Sequence, residues 1–175
     1  MDYNGHSDIN TVSVNFLNVV IIMKTIASFT VNHDLLQKGI YTSRIDGDAV
    51  TYDIRMKIPN GGDYLNDNEM HTIEHIFATY VRNTAYSDSI IYVGPMGCRT
   101  GFYFIVRDNI SPELAIQLVR DSMKYIADFE GEIPGATRIQ CGNYLAQDLE
   151  GAKKTAADMC HILDGWTVDQ LKYKE

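Results

Sequence analysis

The chain of 175 residues lacks any cluster of lysine and arginine: 15 basic residues stand against 23 acidic ones, for a formal charge of -8. Gripping phosphates needs clustered basic side chains, so nonspecific nucleic-acid binding is excluded. Long apolar runs are also missing. The best candidate, Val19-Val20-Ile21-Ile22, is short and is broken upstream by Asn15 and Asn18, which excludes a membrane span there. No basic segment precedes it, and that counts against a secretory signal. Cysteine is scarce and odd in number, as Cys98, Cys141 and Cys160. In a chain without a secretory signal this argues against a disulfide framework and for the cytoplasm, with thiols kept reduced for chemistry or metal binding. Neither an internal repeat nor a low-complexity linker is present. What remains is 45% apolar residues in a length that suits one globular domain with a core of its own.

Residues 1–22 read as an extension of uncertain structure or an added strand, because Met23-Lys24 has the form of a start, and residues 23–175 as the functional domain. Ala27 to His33 reads as a strand leading into a turn. A second strand from Ile40 to Arg44 breaks at Asp46-Gly47-Asp48, a hairpin signal. From Val50 to Ile58 the alternation is unbroken: Val50, Tyr52, Ile54, Met56 and Ile58 share one face, and Thr51, Asp53, Arg55 and Lys57 share the other. A helix capped by Asp67 or Asn68 runs to about Asn83. Short strands at Ile90–Val93 and Phe102–Arg107 flank a glycine-rich loop. Ser111-Pro112-Glu113 opens a second helix, with a cap hydroxyl, a proline in the first turn and an acid at the positive end of the dipole. Arg138 to Cys141 reads as a last extended segment, and Tyr144 to Leu163 as the final helix, stopped by Gly165.

The chemistry gathers on the first helix, at His71-Thr72-Ile73-Glu74-His75. At about 100° per residue, His71, Glu74 and His75 project within a third of the circumference, while Ile73, Ile76, Phe77, Tyr80 and Val81 gather opposite. Two imidazoles at i and i+4 with a carboxylate between them can hold a metal and keep a base beside it. An open catalytic site needs a third protein ligand. Cys141 is preferred, because it stands just before the final helix, whose dipole favours a thiolate, whereas Cys160 lies inside that helix near its buried stripe. Cys98 sits among glycines beside Arg99, where amides and a cation favour an exposed, reactive thiol. Glu74 suits a general acid or base. Ser28, His33 and Arg55 add hydroxyl, imidazole and guanidinium groups, although Arg55 could simply pair with Asp53 on the same strand face. Two other readings stay open on the residues alone. One is a peptidase with an inverted zinc motif; the other is a closed structural site in which Cys98 or His33 is a fourth ligand.

Four stretches taken together resemble the S-ribosylhomocysteine lyases, which make the autoinducer-2 precursor: Ser28-Phe29-Thr30-Val31-Asn32-His33, His71 to His75, Pro95-Met96-Gly97-Cys98-Arg99-Thr100-Gly101-Phe102-Tyr103, and Gln140-Cys141-Gly142. The resemblance covers roughly residues 25 to 163. It implies an α+β fold, a mostly antiparallel sheet with helices on one face, in a single domain. It implies that His71, His75 and Cys141 bind one divalent metal per chain, Fe(II) in the cell with Zn(II) or Co(II) able to substitute. Cys98 and Glu74 would then move protons, and Ser28, His33 and Arg55 would hold the substrate. The implied reaction turns S-ribosylhomocysteine into homocysteine, for the methyl cycle, and 4,5-dihydroxy-2,3-pentanedione, for quorum sensing. The implied assembly is a homodimer with its two active sites at the subunit interface. Tyr92 and Gly94 depart from the pattern, since an Asp and a Ser are expected at those positions.

Overall fold

The computed structural model describes residues 12–16, 19–23, 25–26 and 29–174. Two compact units divide the chain, residues 1–32 and residues 33–175. In the first, strands β1 (Val12–Phe16) and β2 (Val19–Met23) pair antiparallel, with Val12 opposite Met23 and Phe16 opposite Val19. The strand expected from Ala27 to His33 is not there among the described residues. Phe29 instead donates its N–H to the Ile26 carbonyl at 2.9 Å, which closes a turn, and bends and a further turn carry the chain through His33. The alternation in this stretch has no core to face, for Phe29 is 76% exposed. Ala27 and Ser28 lie outside the described residues.

The second unit is an α+β domain built on a four-stranded antiparallel sheet. Its strands are β3 (Gly39–Asp46), β4 (Ala49–Arg55), β5 (Ile90–Pro95) and β6 (Gly101–Arg107), in the order β3-β4-β6-β5. The β3–β4 hairpin turns where the Asp-Gly pair predicts, with Gly47 at φ 60°. Helices α1 (Asp67–Arg82), α2 (Pro112–Ala127) and α3 (Leu149–Ile162) complete it. Val50, Tyr52 and Ile54 of β4 and Phe102, Phe104 and Val106 of β6 form one core with Ile73, Ile76, Phe77 and Val81 of α1. Phe77 meets Phe104 with ring centroids 5.6 Å apart. That packing turns the opposite side of α1, with His71, Glu74 and His75, away from the core.

Local chemistry moves three boundaries from where periodicity puts them. Asn66, not Asp67 or Asn68, caps α1, because its side chain takes the Glu69 N–H at 2.8 Å while Glu69 reaches back to the Asn66 N–H at 3.2 Å. Glu69 is buried and also accepts a hydrogen bond from Thr155, which ties α1 to α3. Arg138 to Cys141 is a turn, not an extended segment: Gln140 and Cys141 both donate to the Thr137 carbonyl, at 3.0 and 2.9 Å. Helix α3 starts at Leu149 under an Asp148 cap, five residues later than expected, so Cys141 is remote in sequence from any helix start and the dipole argument for its thiolate fails.

The second face of β4 departs from simple alternation, because Thr51, Asp53 and Arg55 are buried like their apolar neighbours. The C-terminal segment covers this side of the sheet. Tyr173 donates its hydroxyl to Asp53 Oδ2 at 3.0 Å and stacks on Tyr41 with centroids 5.2 Å apart, and Trp166 meets Tyr41 edge-on. Trp166 lies so close to Gly39 that a Cβ built there would sit 2.2 Å from its ring, and Gly39 has φ 151°. We therefore expect Gly39→Ala to cost about 1–3 kcal/mol of stability through overpacking and backbone strain. A lower urea midpoint at unchanged slope is the readout. An unmoved midpoint would mean that Trp166 is not held against β3.

Candidate metal centre and thiol pocket

Helix α1 sets His71 and His75 one turn apart, with ring centroids 4.6 Å apart, and their outward nitrogens are each taken by a backbone carbonyl. His71 Nδ1 lies 2.8 Å from the Ala146 oxygen, and His75 Nδ1 lies 2.6 Å from the Pro134 oxygen. An Nδ1–H on each ring satisfies these carbonyls and leaves each Nε2 with a free lone pair. Those lone pairs converge: the two Nε2 atoms are 3.0 Å apart, and Cys141 Sγ is 3.3 Å from Nε2 of His71. All three donor atoms lie within 4.8 Å of one another.

Bond lengths to a tetrahedral ion of roughly 2.0–2.1 Å from nitrogen and 2.3 Å from sulfur separate such donors by about 3.3 Å and about 3.6 Å. The two shorter spacings, between the Nε2 atoms and from His71 Nε2 to Sγ, fall within a few tenths of an ångström of those values, and with the third donor pair inside 4.8 Å the three residues can close on a single ion and leave a fourth position open. Backbone geometry makes the approach possible. Gly135, at φ 72°, lets the loop pass His75 where a Cβ would stand 3.1 Å from Nδ1, and the Asn143 N–H points at Cys141 Sγ from 3.4 Å. Glu74 is half-buried and makes no hydrogen bond or ion pair among the described residues.

Cys98 occupies the loop between β5 and β6, in the turn that Arg99 closes at φ 58°. Its Sγ lies 3.0 Å from Thr100 Oγ1 and 3.9 Å from Arg55 Nη1. The guanidinium is pinned by both edges. Nε and Nη2 meet the Asp53 carboxylate at 3.1 and 2.5 Å, while Nη1 donates to Thr100 Oγ1 at 2.5 Å. Burial opposes the charge of Arg55, but hydrogen bonds to Asp53, its negative charge and the nearby sulfur outweigh that, so Arg55 is protonated more firmly than usual. Burial first, and the Asp53 charge next, raise the phenols of Tyr173 and Tyr103 above their ordinary value and keep both as donors. Cys98 opens on a cavity of about 410 Å³ that His33, Tyr64, Arg99 and Thr100 also line.

Two groups therefore form within one chain. His71, His75 and Cys141 meet in one, while Cys98, Arg55 and His33 share the other. Arg55 does pair with Asp53, as the strand pattern allowed, yet it also reaches Cys98. Sequence reasoning missed Thr100, whose place two residues after Cys98 was the available signal. It also missed the carbonyls of Pro134 and Ala146, for which residue identity gives no signal at all. Tyr92 and Gly94 prove to be one feature, because the Tyr92 ring lies over Gly94 and a Cβ there would meet its hydroxyl oxygen at 2.0 Å.

Comparison with known proteins adds an independent line. The family model described as S-Ribosylhomocysteinase (LuxS) matches residues 26–169. An S-ribosylhomocysteine lyase of Clostridium acetobutylicum is 48% identical over 158 residues, which is 87% of this chain and all of the relative. One from Phocaeicola vulgatus is 48% identical over 157 residues, covering 86% of this chain and 98% of the relative. One from Porphyromonas gingivalis is 44% identical over 159 residues, again 87% of this chain and the whole relative.

If the three converging donors hold an ion, Cys141→Ala leaves two imidazoles, and metal content falls from near one per chain to a small fraction, together with stability. Metal analysis after gel filtration measures this. Full retention would remove Cys141 from the ligand set.

Proposed function

Because this chain belongs to the S-ribosylhomocysteinase (LuxS) family, we propose that it is an S-ribosylhomocysteine lyase that releases homocysteine and 4,5-dihydroxy-2,3-pentanedione, the autoinducer-2 precursor. The single observation that carries this is the convergence of His71, His75 and Cys141 in a chain about half identical to such lyases along their full length. The products together hold all the atoms of the substrate, so no co-reactant is required. Carbonyl migration along the ribose moves protons between neighbouring carbons, and elimination breaks the C–S bond.

His71, His75 and Cys141 would hold a divalent ion, which when bound would supply Lewis acidity to make C–H protons beside a substrate carbonyl more acidic. Fe(II) serves in the cell, and Zn(II) or Co(II) can take its place, because two imidazoles and a thiolate suit all three. Cys98 takes and returns protons at the ribose carbons, with its sulfur facing the fixed charge of Arg55 and the Thr100 hydroxyl. Glu74, unpartnered and half-buried, is the second proton carrier. When the carbonyl is suitably placed, removal of the neighbouring proton pushes its electron pair into a new double bond and expels the homocysteine thiolate. Ser28, His33 and Arg55 hold the substrate; the shared cavity of His33 and Cys98 supports this for His33.

The active form is a cytoplasmic homodimer with two composite sites. No helix among the described residues is long and apolar enough to cross a membrane. Ile139 is 97% exposed and Leu145 is 77% exposed on either side of Cys141, an apolar rim suited to cover by a second copy. Arg55 and Cys98 are neighbours in one chain, and in this reading the Cys98 pocket of one protomer serves the metal helix of the other. Residues 1–22 stand outside the lyase domain, residues 23–175, in keeping with a family match that begins at residue 26.

The test is release of homocysteine thiol by protein purified without oxygen. Cys98→Ala should keep its metal and release none, and retained turnover would remove Cys98 from the mechanism. Glu74→Gln should also keep its metal while turnover falls ~10²- to 10⁴-fold. Mixing the two inactive variants under subunit exchange should then restore roughly a quarter of the sites, because a mixed twofold dimer puts both defects in one site and neither in the other. Exchange without recovered activity would place Cys98 and Glu74 of the same chain in one site.

A further inference from the structure

Gln147 carries an inference that rests on the metal-centre reading and extends it. His71 Nδ1 has two neighbours that make opposite demands. The Ala146 carbonyl at 2.8 Å suits a ring that carries a proton on Nδ1, whereas the Gln147 amide nitrogen at 3.2 Å, itself a donor, suits a ring that does not. The far end of the same amide is engaged as well. Its oxygen takes the hydroxyl proton of Thr72 at 2.8 Å, and Thr72, fully buried, accepts the Asp148 N–H at 2.8 Å.

A ring whose Nε2 donates to a metal must carry its proton on Nδ1, and two N–H groups cannot face each other at that distance. A half-turn of the amide resolves the conflict, because the two ends of a carboxamide have the same shape and opposite hydrogen-bonding roles. Its oxygen then accepts from Nδ1–H, and its nitrogen donates to the second lone pair of Thr72 Oγ1, in exchange for the hydrogen bond that the Thr72 hydroxyl made to the amide oxygen. We propose that Gln147 is a positioning residue that, together with the Ala146 carbonyl, holds His71 in the tautomer able to bind metal. The neighbours of Gln147 hold it in place from both sides: Ala146 binds the same ring, and Asp148 binds Thr72 and caps α3 through the Gly151 N–H at 2.9 Å.

The experiment compares cobalt-loaded wild type, Gln147→Leu and Gln147→Glu by three readings: the rate of cobalt transfer to a chelator, the visible cobalt spectrum, and the melting temperature without metal. Loss of such an outer partner costs about 10–100-fold in metal affinity, so Gln147→Leu should lose cobalt about 10-fold faster or more, with its metal-free melting temperature unchanged. The ionised carboxylate of Gln147→Glu has no proton to donate and can only accept from the ring, so this variant should hold cobalt at least as long as wild type. Leucine and wild type releasing cobalt at one rate would overturn the assignment. So would faster release from the glutamate variant, which stands as a separate arm if the leucine variant fails to fold, or a metal-free melting temperature that falls in step with release. A wild type that takes up no cobalt would overturn the metal centre itself and this inference with it, an outcome distinct from a loaded centre indifferent to residue 147.

Discussion

Two backbone carbonyls, those of Pro134 and Ala146, decide whether this site can exist. An imidazole offers two nitrogens that compete for the same proton, and helix α1 sets the position of its rings but not which nitrogen is bare. By accepting from Nδ1 of His75 and His71, the loop after α2 turns both free lone pairs toward each other and toward Cys141. The loop can come this close because Gly135 lacks a side chain where His75 stands. The third ligand belongs to the same loop, so one segment of irregular chain supplies a donor and aims the other two.

The sheet solves a different problem, how to keep a positive charge fixed beside a sulfur without exposing it to water. Arg55 is almost wholly buried, and a buried charge is tolerable only when it is paired and its donors are used. Asp53 takes one edge of the guanidinium and Thr100 the next, and the Tyr173 hydroxyl satisfies a further lone pair of the carboxylate. A long flexible side chain is thereby reduced to one orientation, with Nη1 toward Cys98. The C-terminal segment closes this side of the sheet, so the surroundings of a thiol on one hairpin loop depend on packing more than sixty residues further along the chain.

Much of this was legible in the residues. The β3–β4 hairpin, the core face of α1, the opening of α2 and the pairing of His71 with His75 follow from short-range rules: a turn dipeptide, a 3.6-residue repeat, a cap, an i, i+4 spacing. Legibility failed where the deciding partner is remote or has no side chain. The alternating stretch at Phe29 to His33 has no core to face and becomes turns. The segment before α3 reads as helix from its composition, yet Asp148 starts the helix only where its N–H finds Thr72 on α1. Asp53 and Arg55 read as a polar face, and burial by Tyr173 and Tyr41 reverses that. Carbonyl acceptors such as Ala146 carry no signature, since every residue has the same carbonyl.

Tyr92 and Gly94 bear on how this chain can change over time. The tyrosine ring occupies the room that a side chain at position 94 would need, so a group added there has to displace the ring, which can swing toward solvent because Tyr92 is 46% exposed. A serine introduced at 94 while Tyr92 remains must expel the ring from the strand face. An acidic residue replacing Tyr92 first leaves a bare glycine strand, which is tolerable, and opens space for the second change. Sterics thus favour one order of substitution: replacing the tyrosine first leaves room at 94, whereas a group gained there first has to displace the ring.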